Sequence, residues 1–166
     1  DDGDDDERDH RADSAGSDFS ADRERCSVQR GSVVLAAAGN SGSATELVYP
    51  AAEGAAGLLA VTASTPDDRL ADFSNRGDWI SIAAPGLGIT STVPDGRFGV
   101  WSGTSMASPI VAGLAALLVE TNPTWTPEEV TERIVERSVA LCGTSLRRID
   151  AFGAVFDESP RPSTCE

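Results

Sequence analysis

Gly103-Thr104-Ser105-Met106-Ala107-Ser108-Pro109 opens a run, Ser105 to Glu120, that is apolar almost all round, with Ile110, Val111, Leu114, Leu117 and Leu118 set among Ala and Gly. Such a run predicts a central, buried helix. Ser105 falls at its start, just after a predicted β-ribbon. Ile89 to Val93 and Arg97 to Trp101 flank Pro94-Asp95-Gly96, a turn sequence that presets one φ and then tolerates a positive one. A hydroxyl at that junction lies near unpaired backbone N–H groups, whose positive potential favours a developing oxyanion. Ser and Thr are also the ordinary caps of helix N-termini, so on these seven residues alone the capping reading stands beside the catalytic one.

Outward from this junction the texture is that of a layered α/β protein. Ser32 to Ala38 and Leu58 to Ala63 are short, continuous, partly β-branched runs, as strands covered on both faces require. Trp79 to Ala84 reads as a third. Thr126-Pro127-Glu128-Glu129 combines a capping box with proline at the first helical position and predicts a surface helix from Pro127 to about Val139. Strands mixed with helices point to an α/β fold. Residues 1–24 are dominated by Asp, Glu, Arg, Ser and Gly, with Phe19 the one large apolar side chain, and are read as an acidic segment without fixed structure. Residues 25–157 form the one domain expected, and 158–166 a tail.

At all seven positions the Gly103–Pro109 string resembles the nucleophile motif of the subtilisin-like serine proteases. Val111-Ala112-Gly113 continues that pattern, although Ile110 stands where the family usually has histidine. Ala36-Ala37-Ala38-Gly39-Asn40 is similar to the family strand end that walls the primary specificity pocket and presents the oxyanion asparagine; on its own, Gly-Asn-Ser-Gly is a good turn on any fold. Tyr49-Pro50-Ala51 resembles a segment bordering that pocket, often with a cis peptide before the proline. Phe73-Ser74-Asn75-Arg76-Gly77, Ala84-Pro85-Gly86 and Ile149-Asp150-Ala151 follow in family order, so the resemblance covers about Gly31 to Val155. Arg25 to Arg30 read as the tail of a preceding helix.

The resemblance implies a three-layer fold with a mostly parallel sheet, of which only the C-terminal part is present. It implies Ser105 as nucleophile and Asn40 as oxyanion donor, with Ala37, Ala38, Gly39, Tyr49, Gly103 and Thr104 lining the substrate site. Small Ala37, Ala38 and Gly39 are compatible with a large apolar side chain on the substrate. The implied reaction is acyl transfer from a polypeptide, needing no cofactor. Family members often bind structural calcium and are secreted; no calcium ligand is assignable in this chain. The family's aspartate and histidine contexts, upstream of the serine, are not found, and neither is its Ser-Leu-Gly strand. The one histidine, His10, lies in Asp9-His10-Arg11 within the acidic segment, without apolar neighbours to position it. The expected partners are therefore a polypeptide and the N-terminal part of a protease; Asp1 does not read as a natural start. The alternative function is a non-catalytic secreted module that binds peptides without cutting them. An α/β-hydrolase esterase would need Gly-x-Ser-x-Gly, whereas Ser105 is followed by Met106-Ala107.

Net charge is −14, and all 13 basic residues are arginine. Such a surface repels phosphates and anionic lipid, so neither nucleic acid nor a membrane is an expected partner, and no apolar run is read as a membrane span. It suits high salt, where screening relieves the self-repulsion. Cys26, Cys142 and Cys165 fit no zinc spacing. Thiols without chemistry are the favoured reading, and Cys142–Cys165 is the pairing considered.

Overall fold

The computed structural model describes residues 22–163 and 165. Most of the acidic segment, with His10, lies outside the described residues, as do tail residues 164 and 166. Residues 22–24, assigned to that segment from sequence, instead belong to a helix over residues 22–29, α1.

Three strands follow in chain order: β1 (Val34–Ala37), β2 (Leu58–Ser64) and β3 (Ile82–Pro85). They run parallel, Val34 opposite Leu58 and Val61 opposite Ile82. β2 is buried along its whole length, as its unbroken apolar run demands. Alternation along that strand divides the core. Leu59, Val61 and Ala63 belong to the main cluster, whereas Ala60 joins a smaller one with Ala36 and Ala51 on the opposite face. The predicted hairpin is present as β4 (Ile89–Val93) and β5 (Arg97–Trp101), with positive φ at Asp95 and Gly96. Two short strands complete the main sheet, β6 (Val139–Ala140) and β7 (Arg147–Arg148). β7 runs parallel to β3 and antiparallel to β6, so four of the five strands are parallel neighbours.

α2 (Thr104–Thr121) lies on the sheet. Ala107, Val111, Leu114, Ala115 and Leu118 recur at helical spacing and are buried in the main cluster. The opposite side carries Ser105, Pro109, Ala112, Gly113, Ala116 and Leu117, all exposed. Burial all round is thus corrected to burial of one face: an apolar run is long enough to be covered on every side, but the described elements cover only one. In length and composition α2 also meets the test for a membrane span, contrary to the sequence reading; its packing on the sheet accounts for the same residues.

α3 (Pro127–Glu136) carries both halves of the expected capping box, Glu129 N–H to Thr126 Oγ1 at 3.2 Å and Thr126 N–H to Glu129 Oε2 at 2.7 Å. It stops three residues before the expected end because Val139 enters β6. α4 (Ala151–Phe156) is capped by Asp150, whose Oδ1 accepts from Gly153 N–H at 3.2 Å and whose Oδ2 accepts from Arg161 N–H at 2.9 Å. The tail is thereby folded back, with the Arg161 guanidinium over the Phe152 ring. Cys142 and Cys165 are disulfide-bonded, which corrects the free-thiol reading, and Cys26 is the exposed free thiol. The pairing follows from the tail's path, which brings the two Cα atoms to 5.3 Å, within the range such a bond needs.

Burial raises the Asp150 carboxyl, but donation from the Arg161 and Gly153 amides and the Arg161 charge outweigh it, leaving the group below its ordinary value. A depressed carboxyl contributes stability above its unfolded-state pKa, about 3.9, and that contribution is lost as pH falls through the folded-state value. Asp150→Ala is expected to cost about 0.5–2 kcal/mol at neutral pH, the range for a lost helix cap. The gap between the urea midpoints of the two proteins should close as the pH is taken below about 4. A gap that persists unchanged down to acid would contradict this.

Candidate active site

Ser105 is the second residue of α2 and is exposed. Its N–H belongs to the first turn, whose donors have no carbonyl one turn back, and no hydrogen bond among the described residues claims it. The β-ribbon delivers the chain to this point. Gly103 N–H donates to Gly86 O at 2.8 Å, and Gly88 N–H donates to Ser102 Oγ at 2.9 Å. The approach of the two backbones requires glycine at 86, since a Cβ there would lie 2.5 Å from Ala63 Cβ and 2.9 Å from Gly103 O.

Asn40 arrives from the loop after β1. Its Oδ1 accepts from Thr104 N–H at 2.8 Å and from the Thr104 hydroxyl at 3.0 Å. The same hydroxyl accepts from Gly39 N–H at 3.1 Å. Thr104 is fully buried, and its side chain is turned inward to tie the β1 loop to the start of α2. Because both contacts occupy the carboxamide oxygen of Asn40, its NH2 group remains without a partner among the described residues, beside Gly103. Asn40, Trp101, Ser102, Gly103, Ser105 and Met106 line a hollow of about 390 Å³. A second hollow, of about 480 Å³, lies against β4 and shares Trp101, Ser105 and Met106.

The structure thus brings Ser105 and Asn40 to one hollow. Of the residues named for substrate binding, Gly103 lines it. Thr104 and Ala38 are buried, Ala37 and Gly39 are partly covered, and Tyr49 is exposed outside that lining, preceding a cis bond to Pro50. Trp101, Ser102 and Met106 were not picked out from sequence; their signal was adjacency to the serine string. Among the described residues no group of three or more His, Cys, Asp or Glu side chains is placed to hold a metal ion.

The profile of the Subtilase family matches residues 3–154, starting well upstream of the Gly31 limit read from the motifs. The chain belongs to the subtilase family. Subtilisin E of Bacillus subtilis is 43% identical over 121 residues, covering 71% of this chain and 31% of the relative. A thermophilic serine proteinase of a Bacillus species is 43% identical over 130 residues, covering 76% of this chain and 31% of its own length. Among solved structures, a Pseudoalteromonas arctica protease superposes with a TM-score of 0.74 at 30% identity, covering 82% of this chain and 46% of that one. A cold-adapted subtilisin-like serine proteinase gives 0.64 at 36% identity, over 69% and 41% respectively. This subtilase chain therefore spans about a third of the length of these curated relatives.

Proposed function

We propose that this chain is the nucleophile-bearing part of a secreted serine endopeptidase of the subtilisin type, acting with an N-terminal portion that supplies the aspartate and histidine. The observation that carries the reading is the pairing at one hollow of Ser105, on a helix N-terminus, with an Asn40 carboxamide whose oxygen is occupied and whose NH2 has no partner among the described residues. Ser105 Oγ attacks the carbonyl carbon of a peptide bond while its proton passes to the imidazole of the N-terminal portion. The carbonyl oxygen becomes an oxyanion held by Asn40 Nδ2–H and Ser105 N–H. Collapse expels the amine, which takes the proton, and water then releases the acyl group from Ser105.

The test is a chimera joining the N-terminal part of subtilisin E to residues 22–166 of this chain, assayed on a chromogenic peptide. Turnover is expected. A folded chimera that binds peptide without cleaving it would support a binding module instead. Within the chimera, Asn40→Leu is expected to lower kcat far more than it raises KM, because the donor is used as charge develops. Loss of this donor in subtilisin costs on the order of a hundred- to a thousandfold, and that magnitude is taken over from the relative.

A further inference from the structure

Asn75 lies in the Phe73–Gly77 motif, which the proposed chemistry leaves unused, and it is fully buried. A buried carboxamide is retained only where its donors and acceptors are used. Here every one of its contacts falls on the same short loop. Asn75 Oδ1 accepts from Ser41 N–H and from Ser43 N–H, each at 3.1 Å. Its Nδ2 donates to Ala38 O at 3.0 Å, and its own N–H donates to Gly39 O at 3.1 Å. The loop bonded at 38, 39, 41 and 43 is the one that carries Asn40 at its centre. Asn75 is itself anchored to the sheet, its carbonyl accepting from the buried Thr62 hydroxyl of β2 at 2.8 Å. The fit leaves no slack: Gly39 has φ +97°, and a Cβ there would lie 2.7 Å from Asn75 Nδ2.

We propose that Asn75 is a positioning residue, whose carboxamide replaces the missing strand partner of the 38–43 loop and thereby fixes the Asn40 carboxamide at the Ser105 hollow. Thr104 orients the Asn40 side chain from the helix side, and Asn75 holds its backbone from the sheet side. Arg76 adds to the same clamp through N–H to Ser43 O at 2.9 Å and Nη1 to Gly42 O at 2.8 Å. The inference deepens the proposed oxyanion role of Asn40 and rests on it for its catalytic meaning, but the geometry concerned is within this chain.

The experiment follows the 15N-labelled 166-residue chain by NMR, comparing the parent with Asn75→Ala and Asn75→Asp. In Asn75→Ala the amides of Ser41 and Ser43 should exchange on the order of tenfold or more faster, the loss expected when a buried acceptor is removed. The side-chain NH2 pair of Asn40 should shift and show a reduced heteronuclear NOE, while Val61 and Ile82 in the sheet keep their protection. Asn75→Asp keeps the acceptor for Ser41 and Ser43 but sets an oxygen against Ala38 O where the Nδ2 donor was, so exchange there should lie between that of the parent and that of the alanine variant. Unchanged exchange at Ser41 and Ser43 in the alanine variant would overturn the proposal. So would loosening that is equal in loop and sheet, which marks a purely structural residue. If the alanine variant does not fold, the aspartate variant decides: protection at Ser41 and Ser43 above that of a solvated turn, through the acceptor it keeps, supports the clamp, and loop exchange as fast as that of a solvated turn refutes it. These signals do not depend on turnover, so an inactive chimera would defeat the functional reading and leave this result standing.

Discussion

Ser105→Ala is expected to remove about a millionfold of the turnover of the chimera, the scale known for loss of the nucleophile in subtilisin itself and taken over from that relative. The physical reason is that no neighbour can substitute for this oxygen. Ser102 Oγ, three residues back in the sequence, already accepts from Gly88 N–H. The Thr104 hydroxyl is buried and committed to Gly39 and Asn40. What remains in the variant is the oxyanion donors and the groove, which in subtilisin still give about a thousand- to ten-thousandfold over water. Peptide binding, read as KM or by competition with product, should be nearly unchanged, because the alanine removes one exposed oxygen and leaves the lining of both hollows in place. A loss of less than about a hundredfold would mean that the chemistry runs through another group and would remove Ser105 from its proposed role.

The isolated 166-residue chain is expected to hydrolyse the same peptide no faster than its own Ser105→Ala variant. At neutral pH a serine hydroxyl without an adjacent base is a poor nucleophile, and general-base assistance contributes about a hundred- to ten-thousandfold by itself. The only imidazole in the chain is His10, in Asp9-His10-Arg11, with no apolar neighbours to hold it. The assay compares the parent chain, Ser105→Ala and His10→Ala at low and high salt. Turnover in the parent that vanishes in both variants would make His10 a working base and would overturn the expectation.

The parts of the fold that were legible in sequence are those set by local chemistry. The ribbon followed from Pro94-Asp95-Gly96, the start of α3 from Thr126 to Glu129, and β2 from an apolar run too short for a helix. The exposed side of α2 was not legible, because periodicity reports that residues are apolar and says nothing of what packs on them. The Cys142–Cys165 bond depended on the return of the tail, which Asp150 directs through the Arg161 amide, a contact between residues 11 apart in irregular chain. At the site, the string around Ser105 and the Gly39-Asn40 pair were legible as motifs. Thr104, however, was read as a residue facing the substrate, whereas its hydroxyl points inward; a threonine at a helix start looks the same in sequence whichever way it turns. Asn75 was visible as part of a motif, but its contacts span more than thirty residues and exist only once β1 and β2 are side by side.

The Thr104 contacts tie the two proposed oxyanion donors together. One residue's N–H and hydroxyl grip the Asn40 oxygen, and the next residue's N–H is the second proposed donor, so the two are linked through a single residue. All three hydrogen bonds of that linkage join described residues. In the proposed chemistry the receptor for the developing charge is therefore assembled before any base arrives, and little reorganisation of dipoles is left for the moment of reaction. In the proposed architecture, acquiring or losing activity becomes a question of delivering the aspartate and imidazole, with the strand that faces them, to this half-site.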